Sequence, residues 1–191
     1  TATPRAGVGS FELSFASEAA VTNDPTVAGA DVESLAREVL MHLEGRHESL
    51  AVAESCTGGL LGATVTQVPG ASEVFLGGII SYSNAVKEAI VGVPGELLER
   101  HGAVSEQVAR AMAAGVRERI GATWGVGITG IAGPGGGTED KPVGLVYWAA
   151  AGPEVVTVEH EVFAGDRSTV RLGSVHSALD LLRRMLAEEG R

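Results

Sequence analysis

The sequence predicts a three-layer α/β/α domain built on a mostly parallel sheet. Short apolar runs of strand length alternate with amphipathic helical stretches through most of the chain, which is the pattern of a parallel sheet with crossover helices. Two further strand-like runs then follow each other across Gly152-Pro153, which marks a hairpin. The chain has 191 residues, 45% of them hydrophobic and 20% charged, enough for one buried core without cross-links.

Residues 1–30 are rich in Ala, Gly, Ser, Thr and Pro and follow neither helical nor strand periodicity, so they are expected to form a flexible arm. The patch Phe11 to Phe15 is its candidate docking point. The domain is expected to span residues 31–191. Asp31 precedes a helix with Val32, Leu35, Ala36, Val39, Leu40 and Leu43 on one face, and Gly45 is placed to stop it. Leu50 to Ala53 reads as a buried strand that breaks at Glu54-Ser55-Cys56-Thr57-Gly58-Gly59 and resumes as a helix from Leu60 to Val68. A second such unit follows, with a strand over Val74 to Tyr82 and a short helix over Asn84 to Val91, ended by Gly92 and Pro94. Ser105 caps a helix carrying Val108, Met112, Val116 and Ile120, and Thr123 to Ile128 reads as a third strand. The Gly- and Pro-rich loop Thr129 to Pro142 leads into the hairpin strands Val143 to Ala151 and Val155 to Phe163. A last helix starts at Asp166, with Leu172, Val175, Leu179, Leu182 and Leu186 facing inward.

A formal net charge of -10 excludes a general nucleic-acid binder, which needs a basic surface to displace counterions from the phosphate backbone. Cys56 is the only cysteine, so no intramolecular disulfide and no thiolate-only zinc site can form. No run reaches the ~18 apolar residues of a bilayer span, and the opening residues lack the pattern of a leader. A cytoplasmic protein without membrane partners is expected.

In an open α/β sheet, ligands gather at the carboxyl ends of the strands. Four loops belong there: ESCTGG, SYSNAVK, GITGIAGPGGG and AGDR. Three lead into helices, whose free N–H groups and dipoles suit an anionic ligand. Ser55 sits where a nucleophile would be exposed beyond a strand, but Ser55 and Thr57 equally suit a helix cap. Cys56 is a rival nucleophile with no histidine near it in sequence, and the histidines (His42, His47, His101, His160, His176) show neither metal nor triad spacing. Lys87 is the candidate base, since the N-terminal end of a helix favours its neutral form; its bland reading is a solvated lysine beside Glu88. The segment Gly127 to Gly137 suits a phosphate cradle or an oxyanion site with Thr129, or simply a turn. Arg167 is placed to fork onto a phosphate at the start of the last helix, or to lie on the surface beside a capping aspartate. Glu139-Asp140 reads as a solvated turn, and no metal is assigned.

Taken together, the strings AESCTGG (Ala53 to Gly59), SYSNAVK (Ser81 to Lys87), GAVSE (Gly102 to Glu106), GITGIAGPGGGTEDKPVG (Gly127 to Gly144) and FAGDR (Phe163 to Arg167) resemble the family of the C-terminal domain of the competence and damage-inducible protein CinA, the nicotinamide-nucleotide amidases. The resemblance runs over about residues 31–188. It implies a three-layer sandwich with a five-stranded mixed sheet, frequent homodimers, and hydrolysis of nicotinamide mononucleotide to nicotinate mononucleotide and ammonia without metal or cofactor. Carried over residue by residue, it makes Ser55 the nucleophile, Lys87 the base and Tyr82 a hydroxyl assisting proton transfer. Thr57, Gly58, Gly59, Asn84, Thr129, Gly130 and Arg167 would line the nucleotide pocket. Many relatives carry this domain behind a larger one, for which the first thirty residues are too short, so that domain's activity is expected to be absent. The competing readings are a non-catalytic nucleotide- or protein-binding adaptor linked to competence or DNA damage, and a serine hydrolase for another small amide.

Overall fold

The structure, a computed structural model, describes residues 25–189. In chain order the elements are α1 (Pro25–Gly45), β1 (Leu50–Glu54), α2 (Leu60–Gln67), β2 (Phe75–Ile80), α3 (Asn84–Val86), α4 (Gly95–His101), α5 (Glu106–Ile120), β3 (Trp124–Gly130), β4 (Leu145–Ala151), β5 (Val156–Val162) and α6 (Arg167–Glu189). The short α3 continues directly into a wider π-helical turn over Lys87–Val91.

The five strands lie in the order β2-β1-β3-β4-β5. β1 pairs in parallel with β2 and β3, and β4 is antiparallel to β3 and β5. Only β4 therefore runs against the rest. The carboxyl ends of β1, β2, β3 and β5 emerge at one edge of the sheet, and the four chemistry-bearing loops leave from those ends.

Helices α1, α2 and α6 cover one face, where Val39, Leu43, Val175, Leu179 and Leu182 bury Leu50, Val52, Val126 and Trp148. On the other face α4 and α5 bring Leu98, Met112 and Val116 onto Ala51 and Ala53. Each such Leu or Val contributes about 1.5–3 kcal/mol when removed from water. Helix α5 approaches β3 unusually closely. An added Cβ on Gly127 would lie 2.7 Å from Ala113 N and 2.8 Å from Ala109 O. Gly127 thus serves helix-on-sheet packing.

The main differences from the sequence expectation are at α1, β3 and α4. α1 begins at Pro25, ahead of Asp31, because a proline is well suited to a first helical position that needs no N–H donor. Asp31 lies inside the helix, and its carboxylate meets His176 of α6 at 3.1 Å. Of the expected arm, residues 25–30 belong to this helix; residues 1–24, with the Phe11–Phe15 patch, lie outside the described residues. β3 extends to Thr129 and Gly130, which pair with Tyr147 and Val146 of β4, so the loop starts after them. α4 was not anticipated, since Pro94 reads as a stop; it instead stands at the N-cap of a new helix that buries Leu98. No helix among the described residues is long and apolar enough to cross a membrane.

Candidate active site

β1 is buried along its whole length, and the first residue beyond it, Ser55, still pairs with β3 through Ser55 N to Ile128 O at 3.0 Å. The chain then turns sharply, with Gly58 and Gly59 in left-handed conformations at φ 58° and 98° that a side chain would strain. Gly59 also lies under Ile80, whose Cδ1 would be 3.1 Å from an added Cβ. The turn is anchored by Glu54, buried to 1% exposure, whose carboxylate accepts from Gly59 N, Leu61 N and Gly62 N at 3.0, 3.0 and 2.8 Å. A carboxylate at the start of α2 satisfies N–H groups that a helix leaves without partners and complements its dipole. The cap comes from Glu54, and neither Ser55 nor Thr57 caps the helix with its side chain.

Lys87 reaches this loop from across the sheet edge. Its Nζ lies 2.9 Å from Ser55 Oγ, 2.7 Å from the Ser81 carbonyl and 3.4 Å from the Tyr82 carbonyl. The lysine is 1% exposed and Ser55 is 7% exposed. Ser81, itself buried, is fixed by its N–H donating to Glu54 O at 2.7 Å. The π-helical turn that carries Lys87 is a local irregularity of the kind often found where a side chain is aimed at a functional site. Burial pushes the Lys87 ammonium below its ordinary pKa. Desolvation is thus the main cause, where the sequence argument had invoked the helix dipole.

The stoichiometry of the lysine's contacts is informative. A neutral amine has two N–H donors and one lone pair. A neutral Lys87 amine could give those two donors to the carbonyls and turn its lone pair to the Ser55 hydroxyl.

Cys56 is buried at 6% exposure, and that burial pushes its thiol up to about 11. A thiol so raised is a poorer nucleophile near neutral pH, which weighs toward Ser55. Neither the Cys56 N–H nor the Thr57 N–H donates to a backbone carbonyl.

Arg167 donates from Nη1 to Gly133 O at 2.9 Å and from Nη2 to the Tyr82 hydroxyl at 3.4 Å, joining the loops after β5, β3 and β2. Asp166 caps α6 by accepting from Thr169 N at 2.8 Å, and that N–H holds the aspartate below its usual carboxylate range. Tyr82 is 63% exposed, and its hydroxyl bonds neither Ser55 nor Lys87. Asn84, the first residue of α3, is exposed. Thr129 is buried and donates its hydroxyl to Ala103 O at 2.7 Å, pinning the GAVSE turn to the end of β3. That proton is committed to Ala103. Gly130 packs against Val146, whereas Gly135 has open space where a Cβ would be and Gly136 nearly so.

The residues that sequence reasoning missed are Glu54, Ser81 and Arg171. Arg171, one turn after Arg167, donates from Nη2 to Thr57 O at 2.6 Å. The signal for it was the i, i+4 spacing of two arginines at the start of one helix.

The family model described as the CinA C-terminal domain matches residues 32–186. A CinA-like protein of Acidobacterium capsulatum is 52% identical over 163 residues, covering 85% of this chain and 39% of that protein. A CinA-like protein of Parasynechococcus marenigrum is 48% identical over 206 aligned positions, covering 97% of this chain and 49% of that protein. The chain thus spans about half or less of the length of these curated relatives. Among solved structures, the competence/damage inducible protein CihA from Agrobacterium tumefaciens superposes with a TM-score of 0.79 at 39% identity, covering 82% of this chain and 96% of that one. The competence damage-inducible protein A (ComA) from Klebsiella pneumoniae does so with a TM-score of 0.79 at 33% identity, over 82% and 97%.

Proposed function

Because the chain belongs to the CinA C-terminal domain family, we propose that it is an amidohydrolase that converts nicotinamide mononucleotide to nicotinate mononucleotide and ammonia, in the recycling of pyridine nucleotides. The observation that carries this reading is the enclosed contact of Lys87 Nζ with Ser55 Oγ at 2.9 Å. Taking a lysine out of water is costly, and the cost makes sense where a neutral amine has work as a base.

In the proposed cycle Lys87 removes the Ser55 proton as Oγ attacks the carboxamide carbon. The oxyanion faces the N–H groups of Cys56 and Thr57, and losing one such donor typically lowers the rate ~10²–10³-fold. The Lys87 ammonium then protonates the amide nitrogen, the C–N bond breaks and ammonia leaves. Water attacks the remaining ester, Lys87 takes its proton, and Ser55 is regenerated when that proton returns to Oγ. Arg167, with the open backbone at Gly135 and Gly136, would hold the nucleotide phosphate. Thr57, Gly58, Gly59, Asn84, Thr129 and Gly130 would shape the pocket. Tyr82 would take part in proton transfer only by swinging inward from Arg167; where it stands, it serves the rim. A non-catalytic adaptor has no use for a buried lysine against a serine hydroxyl.

The test is ammonia release from nicotinamide mononucleotide, with Ser55→Ala as the blank and free nicotinamide as the comparison amide. Turnover of the mononucleotide, with free nicotinamide a much poorer substrate, is expected. No release above the blank would overturn the reading.

A further inference from the structure

The proposed cycle leaves Arg171 without a role, and its surroundings are unusual. Its guanidinium reaches 114 residues back along the chain to donate to Thr57 O at 2.6 Å. The same Nη2 lies 3.9 Å from where a Cβ on Gly58 would be. Its Nε is buried with no hydrogen-bond partner, and so is the Thr57 hydroxyl oxygen, in a residue of 0% exposure. Among the described residues Arg171, like Arg117, Arg119 and Arg167, makes no ion pair with a carboxylate, whereas Arg37, Arg46, Arg100, Arg110, Arg183 and Arg184 each do.

A part-buried arginine held by one backbone carbonyl is a poor stabiliser of the fold, since an unsatisfied guanidinium N–H costs free energy that a single bond only partly offsets. Its position suggests another use. The Thr57 carbonyl also accepts from Leu60 N at 3.2 Å, and Gly58, immediately after it, is left-handed at φ 58°. Two adjacent glycines give this turn many alternative conformations. Holding the Thr57 carbonyl toward α6 fixes the peptide plane that follows Thr57, whose N–H, on Gly58, donates back to Ser55 O at 3.1 Å, so the arginine braces the peptide that closes the turn on Ser55.

Resting on the serine–lysine reading above, we infer that Arg171 is a positioning residue for the nucleophile turn, which holds the Thr57–Gly58 peptide, and through it Ser55, in the attitude that attack requires. It touches neither the dyad nor the reacting atoms, so its loss should lower the rate of attack without changing ground-state binding or the titration of Lys87. A misplacement of about 1 Å in such a site costs on the order of 10²-fold in rate.

The experiment uses p-nitrophenyl acetate, an activated ester that reports on Ser55 independently of the natural substrate. Acylation is followed by the p-nitrophenolate burst, and the acetyl group is located by mass spectrometry. Arg171→Met should acylate ~10- to 100-fold more slowly, with an unchanged saturation constant, pH midpoint and Tm. Arg171→Lys, which can still donate to Thr57 O, should recover part of the rate. Should the methionine variant fail to fold, Arg171→Gln, too short to reach the carbonyl, is read in the same way. Wild-type burst rates in folded Arg171→Met or Arg171→Gln overturn the inference alone. A wild-type protein that is not acylated on Ser55 overturns the serine reading, and this inference with it.

Discussion

Lys87 and Ser55, at 1% and 7% exposure, are enclosed by carbonyls and backbone, whereas Tyr82, at 63%, and Arg167 stand in solvent at the same edge of the sheet. The enclosed pair draws its chemistry from the folded protein: burial alone lowers the proton affinity of Lys87 before any ligand arrives. The rim has no such environment. Arg167 and Tyr82 bond to each other and to Gly133, contacts that a charged ligand could exchange without disturbing the core. On the proposed reading the chemistry is preorganised, and recognition is left to exposed groups. This difference predicts that substitutions at the centre act on turnover and substitutions at the rim act on binding.

The largest effect is expected at the centre. Ser55→Ala and Lys87→Ala should each abolish amidase activity, and the double variant should be scarcely worse than either single one. Nucleophile and base act as one unit, so removing the second costs little once the first is gone. Steady-state rates of the three variants check this, with circular dichroism to confirm the fold. Losses that multiply in the double variant would separate the two residues and break the comparison at its enclosed side.

A smaller, graded effect is expected from pH. In the proposed cycle the neutral amine of Lys87 is the active form, and its pKa lies below the ordinary 10.5 because burial disfavours the ammonium. Activity should accordingly rise with pH through a midpoint below 10.5 and level off above it. A kcat profile checks the sign; activity that falls across this range would mean that the charged lysine is the working form.

The smallest effect is expected at the rim. Arg167→Ala should raise KM by about 10-fold and lower kcat much less, because a phosphate far from the amide is held alike in ground and transition states. Arg167→Lys should recover only part of the binding, since the planar fork is lost. An unchanged KM would remove Arg167 from the nucleotide site.

How far the sequence reveals this arrangement differs between the same two regions. The layered fold and the convergence of the loops follow from apolar periodicity, and the six expected apolar positions of α1 are all buried. The pairing of Ser55 with Lys87 was legible through the five ordered strings, because spacing alone cannot bring residues 32 apart into contact. Glu54 was not legible: an acidic residue next to a loop reads as exposed, and only the three N–H groups converging on it explain its burial. Glycines misled in the opposite direction. In the run from Gly125 to Gly137 several are required by close packing against α5, β4 or Val143, and only Gly135 and Gly136 leave open backbone. α4 escaped because seven residues are too few to show a helical period.

The central claim is that the oxygen of Ser55, and not the neighbouring sulfur of Cys56, forms the acyl bond. Acid quenching of the protein during turnover of nicotinamide mononucleotide, followed by peptide mapping, tests it most directly. The account predicts a nicotinate mononucleotide ester on Ser55, which persists in Cys56→Ser and is absent from Ser55→Ala and Lys87→Ala. An adduct carried by Cys56, or continued turnover in folded Ser55→Ala, would contradict it.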